Sequence, residues 1–365
     1  MWLKYFEQYA SEQLPLFLQA KPWNYKNDIC MLGLKKLADV TGNRKWSDYI
    51  IQYSSYLINE DGKVDNWYEN EKNSDKVSFG KSLKVLYDLT KDQKYNKAVF
   101  DAYKMLEDYP RTETGNFWHK DIYPDQVWLD GFYMVMPFYA QSLIDFNEDH
   151  WDDIFNQFQS AHRLLWNDEL KLYMHANDCS KKSEWCDKTT GKSQVVWLRA
   201  VGWFFMSLVD TYEISNNKTS RSQELVGILK NAADHIMQYI DSQSNMFLQI
   251  VDGKTLVNNY LETSGSAMIA YALMKGARLG ILDEKYGLIG NDIVDGIKKT
   301  YLVNNEECFE LNGICASAGL GPGPDNRTDR DGTPEYYLRE KQMTDNQHGA
   351  AACMMAVSEQ LLRSN

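Results

Sequence analysis

Apolar residues return at three- and four-residue spacing through twelve segments, near 3–19, 26–41, 45–59, 76–90, 95–108, 127–146, 150–166, 195–215, 220–242, 260–281, 286–301 and 346–363. That is the period at which one face of an α-helix repeats. The two-residue period of a strand is scarce, and only Leu248–Val251 and Phe117–His119 offer short runs of it. The pattern predicts an all-α chain.

The connections carry a second regularity. Short polar turns at Thr41–Lys45, Thr90–Lys94, Asp145–Asp149, Ser215–Lys218 and Leu282–Lys285 alternate with long irregular stretches near 60–75, 109–126, 167–194, 243–259 and 302–345. A Thr-x-x-x-Lys turn followed by Trp46 or Tyr95 occurs twice, the sign of a repeated helical hairpin. Twelve helices joined in this way fit a six-hairpin α/α barrel with inner and outer rings. An α-solenoid would use the same hairpins, but loops so unequal suit a closed barrel with one functional rim. The long loops then meet at one end, bringing Asp75, His119, Asp130, His175, Trp197 and Arg199 with them.

Length alone would allow two domains, yet no Pro/Gly/Ser linker or shift in composition divides residues 1–365, and a single domain is expected. A net charge of −12 repels phosphate backbones and excludes nucleic acid as a natural partner. An anionic substrate would need a local cation such as Arg199. Lys4, Glu7 and Glu12 interrupt what would be the core of a signal peptide, and no apolar run is long enough to span a bilayer. These features predict a cytoplasmic monomer or homodimer with no membrane partner. The six cysteines form no Cys-x-x-Cys pair, so no zinc site is expected. Export would make Cys179–Cys186 and Cys308–Cys315 bridges feasible; reduced thiols are the expectation otherwise.

Eleven Trp and 23 Tyr exceed what most cores need, which points to an aromatic-lined cleft. Around residues 116–139, His119, Trp128 and Asp130 gather at the start of an aromatic-rich helix, a setting that suits a sugar ring and raises a carboxyl by desolvation. The plainer reading is a helix N-terminus whose acid complements the dipole. Asp75 reads equally as an N-cap or as a second carboxylate that would hold Asp130 protonated. His119 and His175 sit in successive long loops. Arg199 and Trp203, four residues apart, share a helix face that Trp197 joins if it lies at or before the first turn. There an Arg beside two indoles offers bidentate carboxylate recognition or a cation–π strut. Thr263–Ala267 reads as close helix packing, with no chemistry assigned.

Taken together, Phe117–Lys120, Tyr123–Gly131, Trp197–Trp203, Thr263–Met268, Ala318–Gly321 and Arg330–Tyr337 resemble, in order, the unsaturated rhamnogalacturonyl hydrolases of glycoside hydrolase family 105, relatives of the unsaturated glucuronyl hydrolases. The resemblance spans residues 23 to 360. It implies an α/α barrel that removes a 4,5-unsaturated galacturonic acid from the non-reducing end of a small anionic oligosaccharide, without metal or cofactor. It implies Asp130 as general acid and base, Asp75 as the second acid, and Tyr25, His119, Trp128, His175, Trp197, Arg199 and Trp203 around the sugar. One departure is Ala176–Cys179, where the family commonly carries an aromatic and an acidic pair. Rival readings are a sugar epimerase or isomerase on the same barrel and an oligosaccharide-binding protein.

Overall fold

The computed structural model describes every residue except 21–24, 55–56, 65–70, 306–307, 324–326 and 365. Helix α1 (Trp2–Gln8) runs through a π-helical turn, Tyr9–Gln13, into α2 (Leu14–Ala20). Then follow α3 (Tyr25–Thr41), α4 (Lys45–Ser54), α5 (Ser74–Val77), α6 (Gly80–Thr90), α7 (Gln93–Lys104), α8 (Leu129–Asp145) and α9 (Trp151–Leu165). The second half contains α10 (Leu198–Ser215), α11 (Ser222–Ile236), α12 (Thr263–Arg278), α13 (Glu284–Tyr301), α14 (Pro334–Arg339) and α15 (Gln347–Ser364).

Two kinds of helix sort into two rings. Helices α8, α10, α12 and α15 are buried on nearly every side, whereas α7 buries only Tyr95, Ala98, Val99, Ala102 and Tyr103, the stripe of a helix with one face in water. The inner helices α3, α6, α8, α10, α12 and α15 each pack on the next, and α15 returns to α3, closing the barrel. Helices α4, α7, α9, α11 and α13 form the outer layer, each packed on the inner helix before it, and α1 covers α15.

The short turns have local causes. After α6, Lys91 adopts a left-handed conformation (φ 59°) and Asp92 caps α7 by accepting from the Lys94 N–H at 3.0 Å. Helices α10 and α12 approach closely because both present glycine: a Cβ on Gly202 would lie 2.8 Å from Met268 Cβ, and one on Gly265 2.5 Å from Leu198 Cγ.

The long loops are stitched to one another in front of the inner helices. Ser74 N–H donates to His119 O (3.1 Å), Leu129 N–H to His175 O (3.1 Å), Leu198 N–H to Gln249 O (3.1 Å), Thr263 N–H to Gly313 O (2.8 Å) and Asp345 N–H to Leu311 O (2.9 Å). This belt fixes the rim that bears the candidate residues.

Each expected helical segment is met by a helix, with shifts at the ends. The segment expected from 45 to 59 is helical to Ser54, and residues 55–56 lie outside the described part. The segment from 76 begins as the separate turn α5, and that from 220 stops at Ile236 before a 3-10 turn. Neither expected strand forms as one. Leu248 and Ile250 make single bridges to Leu261 and Trp197, and Phe117 bridges Arg111. Instead, Gln126–Trp128 pairs antiparallel with Ala176–Asp178. Helix α14 lies inside the 302–345 stretch, which the pattern predicts to be irregular.

Candidate active site

The start of each inner-ring segment contributes a polar side chain to the rim: Tyr25 opens α3, while Asp75, Asp130, Arg199, Ser264 and His348 each stand second in α5, α8, α10, α12 and α15. The acid at the centre is Asp130. Its Oδ2 lies 3.1 Å from His175 Nε2, and the other ring nitrogen, Nδ1, lies 2.6 Å from the Tyr337 hydroxyl. His175 and Tyr337 are fully buried, and Asp130 retains 15% of its side-chain surface.

Electrostatics differ from the expectation of two mutually repelling acids. Burial acts to raise the Asp130 carboxyl, but His175 beside it, through the hydrogen bond it gives, holds the group below the usual carboxylate range. Asp75 does not keep Asp130 protonated, because it is itself paired with Lys120 Nζ at 2.6 Å. Its backbone N–H is capped by Asn73 Oδ1. His119 is pushed down to about 4 by burial, with the Lys120 cation adding to the effect. It bonds Ser74 Oγ through Nδ1 (2.9 Å) and stacks on Trp128 at 4.6 Å between centroids.

Arg199 is held on one side only. Nη1 donates to Cys315 O (2.6 Å) and Ser264 Oγ (3.2 Å), with Glu262 Oε1 at 3.9 Å, and the guanidinium lies over Trp197 at 4.6 Å. Its Nε and Nη2 are buried without a partner among the described residues. Trp197 is the N-cap of α10, so it does reach the Arg199 side, and its ring lies 4.9 Å from that of His175. Trp203, one turn below Arg199, stacks on Tyr133 and meets Tyr25 edge-on. Tyr25 is bonded to His348 Nε2 at 2.8 Å. Trp128 is buried, its indole N–H donating to Gln126 Oε1, so it forms part of the wall. The nine residues singled out from sequence thus fall in one neighbourhood.

Beside them lies a cavity of about 740 Å³ whose lining includes Lys120, Tyr123, Gln126, Trp185, Leu320 and Arg330. It adjoins Asp75 through Lys120 and Trp128 through Tyr123, without including Asp130 in its lining. At the point of departure from the family pattern, Asn177 is buried and donates to Leu164 O (3.3 Å) and Thr190 O (3.0 Å), tying down the 167–194 loop.

The family described as Glycosyl Hydrolase Family 88 matches residues 2–363, a span that takes in every inner helix and all the rim loops. The chain belongs to glycosyl hydrolase family 88. A family 105 glycoside hydrolase of C. acetobutylicum ATCC 824, known in structure, is 35% identical and superposes with a TM-score of 0.89 over 98% of this chain and 99% of its own. Protein Atu3128 of Agrobacterium fabrum is 38% identical over 216 residues, 58% of this chain and 91% of its own. The unsaturated rhamnogalacturonyl hydrolase YesR of Bacillus subtilis is 24% identical over 265 residues, 70% of this chain and 72% of its own. This family 88 chain is therefore a glycosidase built on an α/α barrel.

The structure brings further side chains into this neighbourhood that the sequence pattern does not single out. Ser264 lies in a stretch assigned to packing alone; Gly265 does pack closely, but Ser264 Oγ also accepts from Arg199. Tyr337 stood within a matching motif with no role given to it. Lys120 likewise lies within a matching motif, Phe117–Lys120, with no role given to it, and His348 carries no signal beyond its place at the start of the last helix. Among the described residues no three His, Cys, Asp or Glu side chains converge as a metal-ion set, no helix is long and apolar enough to cross a membrane, and all six thiols are free.

Proposed function

We propose that this glycosidase hydrolyses 4,5-unsaturated galacturonic acid from the non-reducing end of rhamnogalacturonan-derived oligosaccharides. The observation that carries the reading is the pairing of Asp130 with His175 in a buried site beside Arg199, whose Nε and Nη2 are unspent donors for a uronate carboxylate. Arg199 and Asp130 lie within electrostatic range of each other.

The unsaturated uronide is a vinyl ether. The Asp130 carboxyl donates its proton to C4, the C4=C5 π pair forms the new C–H bond, and positive charge develops at C5 and the ring oxygen. Water, deprotonated by the resulting carboxylate, adds at C5, and the hemiketal so formed opens with expulsion of the neighbouring sugar. Asp130 is held as a carboxylate in the free protein, so the proton must be taken up as substrate arrives. An entering uronate brings a second negative charge near Asp130, and like charge raises a carboxyl. Asp75, fixed by Lys120, orients sugar hydroxyls; His119, kept neutral, serves as a hydrogen-bonding wall. The neighbouring cavity is large enough for the sugars that follow the uronate. Similarity to YesR supports rhamnose as the next residue, and six free thiols accord with a cytoplasmic place in pectin breakdown.

The test follows the ultraviolet absorbance of the conjugated alkene on unsaturated galacturonyl-rhamnose, with Asp130→Asn as control. Wild type is expected to remove the band, and the variant to lose turnover by at least about a thousandfold while still folding. Decay on unsaturated glucuronyl disaccharides alone would move the substrate and keep the mechanism. Flat traces throughout would overturn the reading in favour of an epimerase or a binding protein.

A further inference from the structure

The chain of contacts at the acid does not end at His175. Tyr337, on the short helix α14, places its hydroxyl 2.6 Å from His175 Nδ1, and both side chains are sealed from solvent. We infer that Tyr337 is a positioning residue: by donating to Nδ1 it fixes His175 as the neutral tautomer whose Nε2–H points at Asp130.

Three observations support this assignment. An imidazole nitrogen that accepts a hydrogen bond leaves the ring proton on the other nitrogen, so the partner of one atom determines what the other presents. Here the other atom, Nε2, faces the Asp130 Oδ2 that the reaction uses. The ring also has little freedom to turn, since Trp128 meets it edge-on at 5.2 Å, Trp197 lies at 4.9 Å, and its backbone is tied to Leu129 N–H. The phenol, finally, is a reliable donor at this place. Burial, reinforced by Tyr336, Asp130, Cys315 and Glu340 nearby, keeps it protonated far above neutral pH. The charged and titratable groups that bear on the ring are Asp130 from α8, Tyr337 from α14 and, across Trp128, His119, while Arg199 of α10 lies over Trp197, whose ring neighbours that of His175.

In this arrangement the free protein holds Asp130 as an acceptor of one hydrogen bond from His175, aimed by that bond and only 15% exposed, with no Lys or Arg bonded to it among the described residues. Without the phenol, Nδ1 has lost its donor and the proton is free to sit on that nitrogen, which leaves Nε2 as an acceptor facing a carboxylate. Two acceptors then oppose each other, and the acid loses its fixed position. The neighbouring Tyr336 provides an internal comparison, because its hydroxyl accepts from the Gly319 N–H and makes no contact with His175 that would set the tautomer.

The catalytic half of this inference rests on the function proposed above, and the tautomer half does not. Nitrogen-15 spectra of histidine-labelled wild-type protein at neutral pH, with His175→Gln for assignment, are expected to show His175 neutral with its proton on Nε2. Tyr337→Phe is expected to lose that signature and to lower kcat ten- to a hundredfold while KM stays within about twofold. Tyr336→Phe is expected to leave the tautomer and kcat unchanged. A wild-type His175 protonated at Nδ1 would overturn the inference without any variant being needed. So would an unaltered tautomer in Tyr337→Phe, or an equal effect in Tyr336→Phe, which would make the motif a packing element. If wild type turns over no unsaturated uronide, the proposed function fails while the nitrogen signal still decides the role of Tyr337.

Discussion

His119 shows how burial, reinforced by a neighbouring cation, changes the chemistry of a side chain. Its imidazole is pushed down to about 4 from an ordinary value of 6.5. Between those values the unfolded chain carries a proton at this position that the folded protein does not, so stability falls as pH falls through the window and levels off below about 4. At pH 4.5 the deficit attributable to this group is about 2 kcal/mol. Urea unfolding of wild type and His119→Gln at pH 7 and 4.5 checks it: the variant is expected to lose about 2 kcal/mol less on acidification. Equal losses in both would show that His119 is protonated in the fold. The residue types of the site were legible because acids and tryptophans at predicted helix starts, and histidines in the long loops before them, are conspicuous. Their protonation was not, because it depends on partners remote in sequence. Lys120, 45 residues from Asp75, and His175, equally far from Asp130, are what overturn the picture of two repelling carboxylates.

At the scale of elements, helices were readable and ribbons were not, for a physical reason. A helix such as α7 records its buried face in five apolar positions at regular spacing. Gln126–Trp128 and Ala176–Asp178 are three residues each and are held by backbone groups that every residue possesses. Six-residue α14 likewise leaves no period within a long irregular stretch, which is how Tyr337 escaped notice. Glycines tell elements apart in a similar way. A Cβ at Gly265 would lie 2.5 Å from Leu198 Cγ and 3.0 Å from the Arg199 backbone nitrogen, whereas one at exposed Gly227 on α11 meets nothing within 4 Å. Gly265→Ala is therefore expected to cost about 1–3 kcal/mol through overpacking and to raise KM by displacing Arg199. Gly227→Ala should stabilise by up to about 1 kcal/mol with kinetics unchanged, since alanine only improves the helix. Thermal unfolding and Michaelis kinetics on the two variants separate the outcomes; a silent Gly265→Ala would mean that α10 and α12 are free to move apart.

The whole molecule depends on where the two ends of the chain meet. The sixth hairpin is not continuous in sequence: α1 covers α15, so α1 is the outer partner of the last inner helix. Tyr5, Phe6, Tyr9 and Leu14 are all buried to within 1%, and the Tyr5 hydroxyl donates to Asp345 Oδ1 (2.9 Å), which also accepts from Leu311 N–H (2.9 Å) just ahead of α15. In an open solenoid, removing an end repeat costs mainly that repeat and its one interface. In a closed ring the ends are neighbours, and uncovering α15 loosens its contacts with both α12 and α3. Four such side chains contribute about 1.5–3 kcal/mol each on burial, an amount comparable with the stability of an ordinary domain. Deletion of residues 1–20 is thus expected to lower a single transition in which far-ultraviolet circular dichroism, tryptophan fluorescence and turnover are lost together. Two separated transitions, with a surviving core that still turns over substrate, would instead mean that residues 1–365 do not unfold as one domain and that the ring tolerates a gap at α15.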